Sequence, residues 1–201
     1  LFILVGHLMN GSGITPRLLT LATTLAGWMR GGLAQTSLLL SALMGGISGS
    51  AVADAAMQSR VLGPPMIKEG YSRGFTGALL SIGGLITATI PPSLGLILYG
   101  FLGEVSIGRL FIAGIVPGVM LTIALMIATA WVSRKRDYKP INDRLPTGRE
   151  VLSAVRKSFW AILFPVWLVV GIRFGIFTPS EAGAFAVAYA VFVGVVIYRE
   201  L

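Results

Sequence analysis

The chain has 201 residues, of which 55% are hydrophobic and 12% charged, with a mean hydropathy of +0.83; that balance excludes a soluble globular domain and reads as a polytopic membrane protein. The net charge of +8 does not point to nucleic acid, because eight of the sixteen basic residues fall between Arg134 and Lys157, where they set membrane topology. With no cysteine, disulfides and thiolate metal sites are excluded.

Residues 1–32 read as the end of a spanning helix, Leu1 to Met9, followed by an interfacial arm helix. Asn10-Gly11-Ser12-Gly13 forms the capping loop between them. His7, the one histidine, reads as a hydrogen-bonded packing residue, with a proton relay as the rarer role. Between Arg17 and Arg30, leucines mix with Thr20, Thr23 and Thr24, a composition that lies along an interface better than it spans. The chain opens inside an apolar run without methionine and ends abruptly at Tyr198-Arg199-Glu200-Leu201, so it reads as an internal part of a longer protein.

Residues 33–67 carry the central feature, a small and polar stretch from Gly45 to Ala55 inside apolar sequence. The flanks, Leu33–Met44 and Ala55–Met66, are each about 18 Å long as helices, short of a hydrocarbon core of about 30 Å. Two such helices predict a re-entrant hairpin. Its tip offers carbonyls at the end of one half-helix, amides at the start of the next, and the hydroxyls of Ser48 and Ser50, which suit ions and anions. The competing reading is that Gly45, Gly46 and Gly49 only permit close packing.

Residues 68–103 read as a broken transmembrane helix. After the polar turn Lys68–Arg73, the apolar run Phe75–Leu102 is interrupted at Thr87-Ala88-Thr89-Ile90-Pro91-Pro92-Ser93, where two prolines remove amide donors and strand upstream carbonyls. A proline kink alone is common; one bearing three hydroxyls, directly after a re-entrant tip, signals more. Residues 104–133 hold a short turn and a full span at Leu110–Val132. Residues 134–158 form a basic cytoplasmic loop, and residues 159–201 two transmembrane helices, Phe159–Phe177 and Ala182–Tyr198, joined by Thr178-Pro179-Ser180-Glu181. Re-entry at 33–67 keeps Arg30, Arg60 and the Lys68–Arg73 turn on the same side as that loop, as the positive-inside rule requires.

Gly46-Ile47-Ser48-Gly49-Ser50-Ala51-Val52-Ala53-Asp54-Ala55, then Lys68-Glu69-Gly70-Tyr71, Ile90-Pro91-Pro92-Ser93, Val105-Ser106-Ile107-Gly108, Ala113–Gly118 and Thr178–Ala182 are ordered along nearly the whole chain. In this the sequence resembles the large membrane (permease) subunit of tripartite ATP-independent periplasmic (TRAP) transporters. The resemblance implies an all-α elevator-type transporter half, with a re-entrant hairpin and a broken helix, in the bacterial inner membrane, and a missing second repeat. It implies import of small organic anions, such as C4-dicarboxylates or sialic acid, coupled to Na⁺. Its implied partners are a small TRAP membrane subunit, a periplasmic substrate-binding protein, an organic acid substrate and membrane lipid. Thr87-Ala88-Thr89 departs from the pattern, which more often has a glycine and a proline before Ile-Pro-Pro-Ser.

Carried onto this sequence, the resemblance puts Na⁺ at Ser48, Gly49, Ser50 and Thr87, where hydroxyl and carbonyl oxygens suit a hard cation. Substrate contacts fall to Ser50, Asp54, Thr89, Pro91, Pro92 and Ser93. Asp54 is the only acid within the hairpin and so a functional candidate; its competing role is to cap the second half-helix or bond the tip. A rival from another class is a rhomboid-like intramembrane serine protease using Gly46-Ile47-Ser48-Gly49, which would need a histidine base on a later helix.

Overall fold

A computed structural model of the chain describes residue 8, residues 11–176 and residues 178–200. Apart from Leu8, the expected helix end at Leu1–Met9, His7 included, lies outside the described residues. Every regular element among the described residues is helical, and the chain is an all-helical polytopic membrane protein. Helix α1 (Ile14–Ala26) buries Ile14, Leu18, Leu21, Ala22 and Ala26, a stripe at helical spacing. On its other side Thr20 and Thr24 turn their hydroxyls back to the carbonyls of Pro16 and Thr20, at 2.9 and 2.8 Å, so neither is left unsatisfied.

Helix α2 (Gly32–Ser48) is buried on nearly every face and forms the centre of the molecule. Only Gly49 and Ser50 separate it from α3 (Ala51–Val61). Ser41 bonds to Asp54, and one turn further from the tip Ser37 bonds to Gln58. Partners that step apart together in this way require antiparallel helices, so α2 and α3 form a hairpin. Their 17 and 11 residues make roughly 26 and 17 Å, both shorter than a hydrocarbon core of about 30 Å. The tip is tighter than its composition predicts. Gly45 and Gly46 stay helical because neighbours crowd them: a Cβ would meet Ile90 Cβ at 2.9 Å from Gly45 and Pro165 Cβ at 2.4 Å from Gly46.

The short α4 (Gly63–Lys68), with prolines in its first turn, leads to the polar turn before α5 (Arg73–Thr89). After the break, α6 (Leu94–Leu102) departs at 47°. Helix α7 (Ile107–Lys135) is long and apolar enough to cross a membrane by itself, and the α5–α6 pair qualifies when taken as one bent span. The segment 134–158, expected as a loop, contains α8 (Gly148–Lys157). Its start is fixed by a capping box, in which Glu150 accepts from the Thr147 amide at 2.8 Å. Helix α8 meets α9 (Phe159–Arg173) at 63°, and α9 ends short of the expected Phe177. The Thr178–Glu181 capping box starts α10 (Pro179–Phe192), which continues as a π-helical stretch over Val193–Tyr198.

The loop after α7 is bound to both ends of the hairpin, at Gly27–Gly31 before it and at Tyr71–Ser72 after it. Gly31 N–H donates to the Tyr138 carbonyl at 3.1 Å and Ile141 N–H to the Gly27 carbonyl at 2.8 Å. Tyr138 stacks on Tyr71, with ring centroids 4.1 Å apart, and its hydroxyl accepts from the Ser72 amide at 3.2 Å. Burial pushes the Tyr71 hydroxyl up to about 12, so it stays protonated throughout the physiological range.

Candidate functional site

Four helix ends converge where the hairpin tip meets the break. Helices α2 and α5 both end there, at Ser48 and Thr89, while α3 and α6 both begin there. Leu94 N–H, the first of α6, donates to the Gly49 carbonyl at 3.2 Å. Gly49 adopts the left-handed conformation, φ 59°, that lets the chain reverse. Here glycine is required twice over, because a Cβ would also meet the Pro92 carbonyl at 2.4 Å.

The two amino ends are built alike. Ser50 caps α3, accepting from Ala53 N–H at 3.4 Å, and Ser93 caps α6, accepting from Leu96 N–H at 3.5 Å. Both ends carry partial positive charge. The carboxyl ends supply acceptors instead. Pro91 and Pro92 have no N–H, so the carbonyls of Thr87 and Ala88 lose their helical donors. The meeting point therefore offers oxygens suited to a hard cation next to amides suited to an anion.

A second polar layer lies deeper, between α2, α3 and α5. Asp54 is 1% exposed. Its Oδ2 accepts from Thr87 Oγ1 at 2.7 Å, Ser41 Oγ at 2.9 Å and Gln58 Nε2 at 2.9 Å. Gln58 Nε2 also donates to Ser41 Oγ at 2.6 Å, and Ser37 Oγ donates to Gln58 Oε1 at 2.6 Å. Asp54 Oδ1 has no protein partner among the described residues. One carboxylate oxygen thus ties three helices together while the other keeps its acceptor capacity.

The expected site residues fall into two layers. Ser48, Gly49, Ser50, Pro91, Pro92 and Ser93 form the tip and break; Thr87 bonds into the Asp54 layer. Asp54 does not cap α3, since Ser50 does, and it bonds to helix sides rather than to the tip. Ser48 and Thr89 turn their hydroxyls to the carbonyls of Met44 and Leu85, at 3.4 and 2.7 Å. Sequence reasoning passed over Ser37, Ser41 and Gln58. The signal was present: Ser37 and Ser41, like Asp54 and Gln58, are polar pairs four apart, each on one face of its helix.

Close packing joins the layers. A Cβ on Gly83 would meet Ser41 Oγ at 2.7 Å and one on Gly84 the Ala51 carbonyl at 2.8 Å. The outward face of α3 is apolar, with Val52 80% exposed. Asp54 and Gln58 are the side chains it buries, while Ser59 and Arg60 near its end are exposed.

Residues 1–201 match the family described as "Tripartite ATP-independent periplasmic transporter, DctM component". The sialic acid TRAP transporter large permease protein of Vibrio cholerae is 38% identical over 200 residues, covering 100% of this chain and 46% of that protein. The 2,3-diketo-L-gulonate TRAP transporter large permease protein of Escherichia coli is 38% identical, covering 100% and 47%. The C4-dicarboxylate TRAP transporter large permease protein of Pseudomonas aeruginosa is 36% identical, covering 100% and 46%. The chain spans about half the length of these curated relatives.

Proposed function

The chain belongs to the DctM component family of tripartite ATP-independent periplasmic transporters, and on that premise we propose that it is part of a permease importing small organic anions coupled to Na⁺. The observation that carries this reading is the convergence of four helix ends at Gly49 and Leu94. It brings cation-seeking carbonyls and anion-seeking amides to one place. Carboxylates of the kind named in the relatives, sialic acid and C4-dicarboxylates, would meet the amino ends of α3 and α6 through Ser50 and Ser93. Pro91 and Pro92 shape that contact, and Thr89 adds a further oxygen beside it.

Na⁺ is cargo in this scheme, and the residues present fit it. The tip offers Ser48, Gly49 and Ser50 oxygens, the break offers the Thr87 carbonyl, and Asp54 Oδ1 is a buried carboxyl oxygen with no protein partner among the described residues. A hard monovalent cation favours such an all-oxygen set. The working protein would sit in the bacterial inner membrane beside a small membrane subunit, supplied by a periplasmic substrate-binding protein. The rhomboid-like reading has no support in the geometry: Ser48 Oγ is turned to the Met44 carbonyl, and the family is one of transporters.

The test is uptake of labelled small carboxylates into proteoliposomes holding the whole permease and its small partner, with the binding protein outside. Uptake that requires both an inward Na⁺ gradient and the binding protein supports the reading. Absence of uptake under any gradient, with cleavage of an embedded peptide abolished by Ser48→Ala, overturns it.

A further inference from the structure

Helix α8 has a face that the transport site does not use. Val151, Ala154 and Val155 turn towards the protein, packing α8 beside α1. Leu152 on α8 and Phe159, the first residue of α9 beyond the bend, are 69% and 49% exposed. Arg149 and Arg156, seven residues apart within α8 and so on one face beside Leu152, are both exposed. Neither arginine has an ion pair among the described residues. The acid nearest in sequence, Glu150, is taken by Arg144 at 2.6 Å and by the Thr147 amide.

We propose that this face of α8 lies in the membrane surface and binds anionic lipid, with Leu152 and Phe159 among the acyl chains and Arg149 and Arg156 on the headgroup phosphates. Three observations fix the occupant as lipid. Helix α8 turns 63° away from α9, so when α9 stands in the bilayer α8 is swung towards the surface. Tryptophans, which favour membrane interfaces, lie at helix ends: Trp131 in the last turns of α7, exposed and 5.8 Å from the Lys135 ammonium, Trp160 in the first turn of α9, and Trp28 just beyond α1. Leu152 sits beside the two arginines on the surface of α8 and Phe159 follows just past its end, so apolar and cationic side chains meet where an interfacial helix faces an anionic leaflet.

The inference rests on the membrane topology proposed above, but its test reads lipid retention rather than uptake, so the two stand or fall separately. The purified whole protein is titrated with phosphatidylglycerol or phosphatidylcholine, and bound lipid is counted by native mass spectrometry. Phosphatidylglycerol should bind preferentially, and Arg149→Gln with Arg156→Gln should weaken it by about tenfold or more. The Arg149→Lys, Arg156→Lys variant should bind much as wild type, which separates charge from folding. Arg109→Gln, at the opposite end of α7, should change nothing. Inorganic phosphate should not displace the lipid, because the acyl chains contribute through Leu152 and Phe159. Wild-type retention by the double Gln variant, equal binding of phosphatidylcholine, or displacement by phosphate would each overturn the proposal.

Discussion

Leu94 N–H donates to the Gly49 carbonyl at 3.2 Å, so the hairpin tip and the second half of the broken helix are joined backbone to backbone. No side chain mediates the contact. A site built in this way depends on how closely two chains approach, and the residue that sets the approach is Gly49.

Gly49→Ala tests this. A left-handed φ costs a non-glycine residue about 1–2 kcal/mol, and at Gly49 the clash with the Pro92 carbonyl adds to it. Gly70 is also left-handed, φ 87°, but a Cβ there meets nothing within 4 Å. Gly70→Ala should therefore cost strain alone, and Gly49→Ala clearly more, as read by thermal unfolding of the detergent-solubilised protein. Equal losses would mean that the tip does not bear on the break.

The Asp54 layer makes an ordered prediction. Thr87→Val removes one of three donors and should cost about 1–2 kcal/mol. Asp54→Ala takes the shared acceptor from Thr87, Ser41 and Gln58 at once, although Thr87 keeps the Ser41 carbonyl and Gln58 the Ser41 hydroxyl, and should cost more than Thr87→Val, at about 1–3 kcal/mol for each donor left unsatisfied. Unfolding of the Asp54→Ala protein at the wild-type temperature would show that the carboxylate does not hold α2, α3 and α5 together.

Ser48→Ala combined with Ser50→Ala separates ion binding from folding. Loss of the Ser50 cap should cost about 1 kcal/mol. The Na⁺ concentration for half-maximal uptake should rise by about tenfold, the equivalent of roughly 1.4 kcal/mol. Unaltered sodium activation in the double variant would remove these hydroxyls from the site.

Glu150 gives a pH dependence. Its bonds from the Thr147 amide and hydroxyl, with Arg144 beside it, hold the carboxyl below its ordinary value. Because the folded value is the lower one, the capping box contributes fully above the ordinary carboxylate range and is lost as pH falls through the depressed value. Amide exchange in the first turn of α8 should quicken on acidification, after correction for intrinsic rates. Glu150→Ala, which removes the acceptor, should already exchange quickly at neutral pH and respond little to acid, whereas Glu150→Gln keeps an acceptor and should be slow at every pH.

Much of this was legible in sequence because it follows from local chemistry. Pro91 and Pro92 break a helix wherever they fall, and the all-helical membrane class follows from composition alone. Thr178 and Glu181 announce a capping box; the same pattern at Thr147 and Glu150 was hidden by the surrounding arginines, which read as loop. The extent of the tip was left open between turn glycines and close-packed ones, and the packing reading holds for Gly45 and Gly46. Gly45 and Gly46 look like turn residues, yet Ile90 and Pro165 press against them from other helices, and packing overrides propensity.

The sequence by itself determined the membrane class, the break at Ile90–Ser93 and the reversal near Gly49, since each depends on hydropathy or on backbone freedom within a few residues. Tertiary structure alone decided that Thr87 bonds to Asp54, 33 residues away, and that Ser37, Ser41 and Gln58 complete the layer. A buried polar group is satisfied by whichever donor the packing brings within about 3 Å, and that donor need not be near in the chain.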